Sequence, residues 1–283
     1  MKRFRWLRSV GGLLTVGALT LAMAPASTAI AAPPQALRLT WADDFDGPSG
    51  RGPDASKWKH DIGGDGWGNQ ELQYYTSSTR NAALDGGGNL VITARKERPS
   101  GSSCWYGTCK YSSARLITQG KFDQAYGRFE ARMKLPTGQG MWPAFWMLGA
   151  DYDSKGWPDC GEIDIMENVG AEPSTLYGTL HGPGYSDENG PGGSTKLPDG
   201  APLSAAFHTY AVDWSAEWIS WSLDGRVYLT QTRKNIPAGA PWVFDHKFFM
   251  LLNLAVGGTW PGSPDSSTRF PQQLTVDYVH VFS

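Results

Sequence analysis

Short segments in which apolar and polar residues alternate recur along most of the chain, and they limit the possible folds more than any other feature. A period of two is typical of strands with one buried face, and no segment beyond residue 31 keeps a helical period. We predict strands at residues 89–96, 115–118, 126–135, 142–148, 162–168, 176–181, 208–214, 218–223, 226–232, 247–253 and 274–282. This pattern predicts an all-β chain folded as two packed sheets.

Two connections between these segments are informative. Asp224-Gly225 predicts a tight hairpin, because Asp and Gly accept the positive φ angles of a type I′ turn. Residues 182–202 are rich in Gly, Pro, Ser and Asp and are predicted to form the longest loop. Loops of that length in a compact domain are usually functional or mobile.

Residues 162–167 read Glu-Ile-Asp-Ile-Met-Glu, which places three carboxylates in an otherwise apolar run. In a regular strand Glu162 and Asp164 share one face and Glu167 points the other way, because side chains alternate. A β-bulge near Ile165 or Met166 would shift the phase by one residue and return Glu167 to that face. We therefore predict a bulged strand that presents three carboxylates on one wall.

Paired carboxylates on one wall are typical of glycoside hydrolysis. Twist and long side chains can bring the carboxyls of Glu162 and Glu167 to the separation of about 5–5.5 Å used by retaining glycosidases. A calcium site built from the same oxygens is the alternative. It is disfavoured, because the intervening Ile163, Ile165 and Met166 lie on a rigid strand without the Gly turn of a calcium loop.

The first residues carry four basic side chains, followed by an apolar stretch over residues 10–23 and by Ala29-Ile30-Ala31. These features predict a secretory signal peptide at residues 1–31 and a single catalytic domain at residues 32–283. A membrane anchor is the alternative, but no later segment approaches about 18 unbroken apolar residues. We therefore expect a secreted, extracellular protein without membrane contact after cleavage.

Charge and aromatic content narrow the class of partner. Without the predicted leader the chain has 21 basic and 27 acidic residues, a net charge of −6, which disfavours nucleic acid and polyanionic substrates. Twelve of the 13 Trp lie beyond the leader. Most such rings belong to a core, but flat rings also suit the apolar faces of sugars. For Trp142 and Trp146, a strand buried on both faces and a sugar platform are equally good interpretations.

The chain has three cysteines, an odd count for an exported protein. Cys104 and Cys109 flank a short loop that a disulfide could close, which leaves Cys160 as a lone thiol. A catalytic Cys-His pair at Cys160 is disfavoured against a buried apolar thiol, because no basic residue or histidine is near it in sequence.

Several segments together resemble glycoside hydrolase family 16 and, within it, the bacterial endo-β-1,3-glucanases or laminarinases. The Glu-x-Asp-x-x-Glu run is moderately specific, and the Gly-Trp-Gly-Asn-Gln-Glu-Leu-Gln-Tyr-Tyr-Thr segment at residues 66–76 strengthens it. The segments that carry the resemblance are residues 41–45, 66–76, 126–136, 141–148, 161–168 and 276–279. Family members with this five-residue spacing have the bulged form of the strand.

The resemblance implies a β-jelly-roll sandwich of two antiparallel sheets with a concave substrate groove and a double-displacement reaction. It implies that Glu162 is the nucleophile, that Glu167 is the acid/base and that Asp164 lies between them. Repulsion among the three should raise the pKa of Glu167, so that it stays protonated near neutral pH until Glu162 is esterified.

Further site residues follow from the resemblance alone. The implied substrate-binding residues are Asn69, Trp142, Trp146, Trp157, His181 and Trp260. No cofactor is required for catalysis. A structural Ca²⁺ on the convex face would use the Asp277 side chain with backbone carbonyls near Asp44 and Gly88. We expect a monomer whose partner is a polysaccharide.

The functional hypothesis is therefore a secreted, retaining endo-β-1,3-glucanase that cleaves β-glucans such as laminarin. One alternative is a non-catalytic β-glucan-binding protein on the same fold, although such proteins usually lack one of the carboxylates. A second is a transglycosylase, which shares the chemistry and differs only in the acceptor. Preference between β-1,3 and mixed-linkage glucan, and the role of residues 182–202, do not follow from the sequence.

Overall fold

Strands account for nearly all of the regular structure in residues 37–283, the part of the chain that the computed structural model describes. The predicted signal peptide at residues 1–31 lies outside the described residues. The strands are β1 Leu39–Asp43, β2 Lys59–Asp61, β3 Gln73–Tyr75, β4 Ala82–Leu84, β5 Leu90–Ala94, β6 Tyr111–Ser113, β7 Arg115–Ile117, β8 Gly127–Lys134, β9 Met141–Gly149, β10 Glu162–Glu167, β11 Leu176–His181, β12 Gly192–Thr195, β13 His208–Trp214, β14 Trp218–Leu223, β15 Arg226–Thr232, β16 Phe248–Val256 and β17 Gln272–Phe282. One short helix, α1, spans Tyr152–Lys155, and a 3₁₀ turn spans Asp187–Asn189.

The strands form two large antiparallel sheets and one small parallel pair. The first sheet has the order β15-β14-β13-β8-β17-β5-β4, and β1 also pairs with β17. The second sheet has the order β12-β11-β10-β9-β16-β7-β2. Strands β3 and β6 pair in parallel. Strands far apart in sequence are thus neighbours in each sheet, and β10 lies between β9 and β11 in the second.

The core lies between the two large sheets. In β8 the side chains of Phe129, Ala131 and Met133 are fully buried, whereas Arg128 and Glu130 on the other face form an ion pair at 2.7 Å. Burying a side chain such as Phe129 contributes about 1.5–3 kcal/mol. The alternation of apolar and polar residues in β8 therefore determines which face of the first sheet packs against the core.

Strand β16 is buried at every position. Its core face packs between the sheets, and the segment leading into β3 covers its outer face. The backbone N–H of Leu72 donates to the Val256 carbonyl at 2.8 Å. This cover brings residues 69–75 against the outer face of the second sheet.

The predicted all-β class and most predicted strands are confirmed. The bounds of β11, β13, β14 and β15 are those predicted, and the hairpin is present, with φ of 50° at Asp224 and 76° at Gly225. Strands β2, β3, β4 and β6 lie outside the predicted strands, and with three residues each they show little of a period. Strand β1 also lies outside the predicted strands.

The prediction that residues 182–202 form a loop is wrong in part. They include the 3₁₀ turn and strand β12, which pairs with β11. The glycines of β12 carry no side-chain pattern, so its pairing rests on backbone hydrogen bonds that sequence periodicity does not report.

Cys104 and Cys109, whose loop a disulfide could close, are joined by a disulfide, and Cys160 is a buried free thiol. Burial raises the pKa of the Cys160 thiol to about 11, which disfavours a nucleophilic role. Within residues 37–283 no helix has the length and apolar character needed to cross a membrane.

Candidate active site

The predicted β-bulge is present in β10, at Ile165. Against β9, Asp164 pairs with Trp146 and Met166 pairs with Phe145, so Ile165 has no partner. Ile163, Ile165 and Met166 are all at most 1% exposed and face the core. Glu162, Asp164 and Glu167 therefore share the opposite face of the second sheet, as the sequence predicted.

The bulge is held by a tryptophan from the opposite sheet. The ladder is interrupted after Asp164, and the buried Trp221 indole N–H of β14 donates to the Asp164 carbonyl at 2.7 Å. Gly178 on β11 makes room for this ring, because a Cβ there would lie 2.5 Å from the Trp221 Cδ1 atom. The carbonyl next to the extra residue is thus satisfied across the core rather than within its own sheet.

Burial raises the pKa of all three carboxyl groups. For Glu162 the next cause is repulsion from Asp164, and for Asp164 it is repulsion from Glu167. For Glu167 the main opposing influence is a hydrogen bond from Trp142. Because three buried acids on one wall disfavour full ionisation, the site favours keeping a proton near neutral pH.

The two oxygens of Glu167 have different surroundings. The Trp142 indole N–H donates to Glu167 Oε1 at 2.9 Å. Because the indole can only donate, Oε1 accepts its hydrogen bond, and this favours Oε2 as the oxygen that carries the proton. Glu167 can therefore present a proton in a fixed direction.

His181 lies against the carboxylates rather than apart from them. It pairs with Glu162 across the β10–β11 ladder, and its Nε2 is 2.9 Å from Asp164 Oδ2 and 3.8 Å from Glu162 Oε1. The ring of Trp157, which is 41% exposed, lies 6.1 Å from the His181 ring. A sugar contact by His181 stays a prediction, and the structure adds a direct contact with the acids.

The same three residues could hold a metal ion. Glu162, Asp164 and His181 each offer one ligand atom within 4.8 Å of the others. One imidazole nitrogen with two carboxylate oxygens suits zinc-like ions better than calcium, which prefers an all-oxygen shell. Among residues 37–283 this is the one such cluster, and the reaction proposed below uses its carboxylates directly.

Aromatic side chains border the carboxylates on one side. The Trp142 ring lies 5.5 Å from the ring of Trp260, which in turn lies 5.0 Å from the ring of Tyr177. Trp260 is 42% exposed, and the Thr259 N–H donates to the Asn69 carbonyl at 2.8 Å. The structure thus brings Asn69, Trp142 and Trp260 together beside Glu167.

Trp146 borders the other side, together with several residues that were not among the predicted site residues. The Arg115 guanidinium lies between the rings of Trp67 and Trp146, at 4.7 and 4.8 Å from their centroids, and its Nε is 3.1 Å from Asp61 Oδ2. Asn253 accepts the Trp146 indole N–H at 2.7 Å. A single polar residue in the apolar run of β16 was the available signal for Asn253.

The residues predicted to bind calcium lie on the first sheet. Strand β17 carries Asp277 and pairs with β1 and β5, which lie beside Asp44 and Gly88. However, the Asp277 carboxylate is bonded to Arg132, and Asp44 Oδ1 is 2.7 Å from His280 Nε2. A cation bound there would compete with the Arg132 guanidinium for the Asp277 carboxylate. This calcium site stays a prediction, and no step below depends on it.

Comparisons with known proteins agree on one family. The model described as glycosyl hydrolases family 16 matches residues 69–280. A β-glucanase from Rhodothermus marinus is 45% identical over 253 residues, which cover 86% of this chain and 84% of that protein.

Solved structures give the same result. The catalytic domain of an endo-1,3-β-glucanase (laminarinase) from Thermotoga petrophila RKU-1 matches with a TM-score of 0.81 at 45% identity, covering 87% of this chain and 98% of that one. An endo-β-1,3-glucanase from Pyrococcus furiosus matches with the same TM-score and identity over 87% of this chain and 94% of that one. The predicted jelly-roll sandwich is confirmed.

Proposed function

The chain belongs to glycoside hydrolase family 16, and from this premise we propose that it is an endo-acting β-1,3-glucanase that cleaves internal bonds of β-glucans such as laminarin with retention of configuration. The observation that carries the proposal is the bulge at Ile165, which sets Glu162, Asp164 and Glu167 on one face. Without it the acid would point into the core, away from the nucleophile.

In the first step the Glu162 carboxylate attacks the anomeric carbon of the sugar. The bond between that carbon and the glycosidic oxygen breaks, and Glu167 gives its proton to the departing oxygen. The products of this step are a glycosyl ester on Glu162, a free leaving chain and an ionised Glu167.

In the second step a water molecule replaces the leaving chain. Glu167 takes a proton from the water as its oxygen attacks the anomeric carbon, and the ester bond to Glu162 breaks. The sugar leaves with its original anomeric configuration, and Glu167 is again protonated. Two inversions at one carbon give net retention.

The electrostatics of the site support this exchange of roles. Burial raises the pKa of Glu167, and repulsion from Glu167 is among the causes that raise the pKa of Glu162. Esterification of Glu162 removes a negative charge beside Glu167, which lowers the pKa of Glu167 and keeps it ionised, the form that can take a proton from water. The carboxyls of Glu162 and Asp164 share His181 Nε2 as a neighbour, at 3.8 and 2.9 Å, and this arrangement orients the nucleophile.

The substrate assignment has separate support. Three similar proteins carry the descriptions β-glucanase, endo-1,3-β-glucanase and laminarinase. The exposed rings of Trp157 and Trp260 suit the apolar faces of glucose units. The predicted net charge of −6 without the leader disfavours sulfated polysaccharides.

The test is hydrolysis of laminarin by the purified protein, followed as reducing ends, product sizes and the anomer formed first. We expect a broad range of early oligosaccharides and the β anomer first, and a Glu162→Gln variant that binds oligosaccharides without cleaving them. The α anomer first, or appreciable activity of that variant in a clean preparation, would contradict the mechanism.

The alternatives have different outcomes in the same assay. A glucan-binding protein gives retention of laminarin on an affinity gel and no reducing ends. A transglycosylase gives products longer than the starting oligosaccharide and few new reducing ends. Both catalytic glutamates are present in this chain, which favours hydrolysis over simple binding.

We also propose that the protein is exported and acts as a monomer. The basic, apolar and small-residue pattern of residues 1–31 supports export. Expression of the full chain followed by N-terminal sequencing of the secreted product should show Ala32 as the first residue.

A further inference from the structure

A chain of buried polar side chains lies behind Trp146, and the reaction described above does not use it. Glu71 is 5% exposed, Asn253 is 6% exposed, and Gln73 and Tyr75 are fully buried. Buried polar groups are costly unless each hydrogen bond is made, so a cluster of this size needs a reason.

The direction of each hydrogen bond in this chain is fixed from the Trp146 end. The Trp146 indole N–H can only donate, and it does so to Asn253 Oδ1 at 2.7 Å. Asn253 must then present its NH₂ group, which donates to the Tyr75 hydroxyl at 3.2 Å. The hydroxyl hydrogen of Tyr75 is left to donate to Glu71 Oε2, also at 3.2 Å.

A second chain reaches Glu71 from the backbone of β16. The Val256 N–H donates to Gln73 Oε1 at 2.7 Å, so the Gln73 NH₂ group faces Glu71 Oε2 at 2.5 Å. The Asn69 NH₂ group lies 3.4 Å from Glu71 Oε1. Three donors thus converge on one side chain, and an ionised carboxylate is the group that accepts from all of them.

Glu71 is itself held firmly. The Trp105 indole donates to the Glu71 backbone carbonyl at 2.7 Å, and the Tyr106 hydroxyl donates to the Leu72 carbonyl at 2.6 Å. Both rings belong to the loop closed by the disulfide. Because its backbone is anchored by these hydrogen bonds, the Glu71 carboxylate can hold in place the groups that donate hydrogen bonds to it.

The other end of the chain lies at the catalytic wall. Trp146 pairs with Asp164 across β9 and β10, on the face that carries the three acids. A tilt of the Trp146 ring would therefore change the surface offered to a sugar bound beside Asp164. Asn69, on the same loop as Glu71, neighbours Trp260 through Thr259.

We propose that Glu71 is a positioning residue for the glucan-binding groove, which fixes the Trp146 ring through Tyr75 and Asn253 and the Asn69 amide directly. The proposal rests on the proposed function, because it takes the groove to bind a β-glucan. Glu71 does not touch the sugar. It acts as the common acceptor at which the hydrogen bonds from both groups end.

Two conservative variants interrupt this series of hydrogen bonds at different points. Glu71→Gln keeps the shape but sets an NH₂ group against the NH₂ groups of Gln73 or Asn69. Tyr75→Phe keeps the ring but removes the link between Asn253 and Glu71. Tyr210→Phe is the matched control. Tyr210 is also fully buried but lies in β13 of the first sheet, and its hydroxyl has no hydrogen-bond partner among the described residues.

The measurement is kcat and KM on laminarin, with the melting temperature of each variant. In Glu71→Gln and Tyr75→Phe we expect KM to rise about three- to tenfold while kcat stays within about twofold. In the double variant the rise in KM should be much smaller than the product of the two single rises. The reason is that both changes interrupt the same series of hydrogen bonds. The control should keep both constants.

Two results would overturn the proposal. One is a wild-type KM in both variants despite a lower melting temperature, which indicates a purely structural role. The other is a loss confined to kcat. Failure of the proposed function is distinct from either, because then the wild-type protein itself would release no reducing ends from laminarin.

Discussion

Glu167 owes its usefulness as an acid to one neighbour. The Trp142 indole occupies Oε1 and leaves Oε2 to carry the proton. Burial raises the pKa of Glu167, and the indole hydrogen bond limits that rise. The residue can therefore both release a proton and take one back.

Replacing Glu167 by Ala should slow hydrolysis of laminarin by about 10²–10⁴-fold, because the departing sugar oxygen then leaves without a proton. For an aryl glucoside whose phenol leaves without protonation, the rate of the glycosylation step should fall much less. Added azide, which needs no base to attack the ester, should restore turnover and give a β-glycosyl azide. Rates on both substrates with and without azide check this. Equal losses on both would argue against the acid role.

At the residue scale, the sequence sufficed for groups that lie on one strand. Glu162, Asp164 and Glu167 could be placed on one face in advance, because all three lie on β10. The contact of His181 with Asp164 could not, because it depends on strand pairing. The role of Glu71 could not be predicted either, because its own donors lie within four residues but the link to Trp146 runs through Asn253, which is distant along the chain.

The bulge is the element on which the site depends, and a strand of the other sheet stabilises it. Trp221 on β14 donates to the Asp164 carbonyl across the core. This contact ties the shape of β10 to the distance between the sheets. A change deep in the core should therefore alter catalysis without touching any carboxylate.

Trp221→Phe should lower the free energy of unfolding by about 2–4 kcal/mol, because it leaves a carbonyl unpaired and opens a cavity. It should also lower kcat, because the bulge loses its support. Trp214→Phe is the matched control, since the buried Trp214 indole likewise donates to a backbone carbonyl, that of Phe244 at 3.1 Å. Urea unfolding and kcat for both variants check this. Similar kcat values in the two variants would show that the bulge keeps its shape without the hydrogen bond from Trp221.

At the element scale, long strands bounded by clear turns were predictable. Strands β13, β14 and β15 follow one another through short turns, so their pattern alone fixes their ends. Strand β12 was not predictable, because its existence depends on the free edge of β11. Edge pairing is a property of the assembled sheet rather than of a local sequence.

At the scale of the whole molecule, buried acids should make stability depend on pH in an unusual direction. Burial raises the pKa of Glu71 from 4.5 to about 6. A carboxyl with a raised pKa in the folded state binds its proton more tightly there, so stability is gained as pH falls through that interval. For Glu71 the gain is about 2 kcal/mol, and the three catalytic acids act in the same sense.

We therefore expect the melting temperature to rise when the pH is lowered from about 7.5 to about 5.5. Asp164→Asn should melt higher than the wild type at the upper pH, because it removes a buried charge, and the difference should shrink toward acid pH. Thermal unfolding of both proteins across this range checks the prediction. A wild-type melting temperature that falls steadily on acidification would contradict it.

The order of strands in each sheet is the part of the molecule that the sequence leaves open. The count of strands predicted two sheets, but nothing local shows that β16 lies between β9 and β7. For the same reason the groove could not be assembled in advance, since Arg115, Trp146 and Asn253 come from these three strands. The family resemblance implied a groove that includes Trp146, but not its neighbours Arg115 and Asn253.

The tryptophan that crosses the core also has a consequence for protein engineering. A designer who transplants the Glu-x-Asp-x-x-Glu segment into another sandwich would carry over the acids. The indole that donates a hydrogen bond to the kinked backbone from the opposite sheet would be left behind. Such a graft should relax to a regular ladder and turn its last acid inward. The smallest transferable unit therefore includes one residue from a different sheet, together with the glycine on β11 that makes room for it.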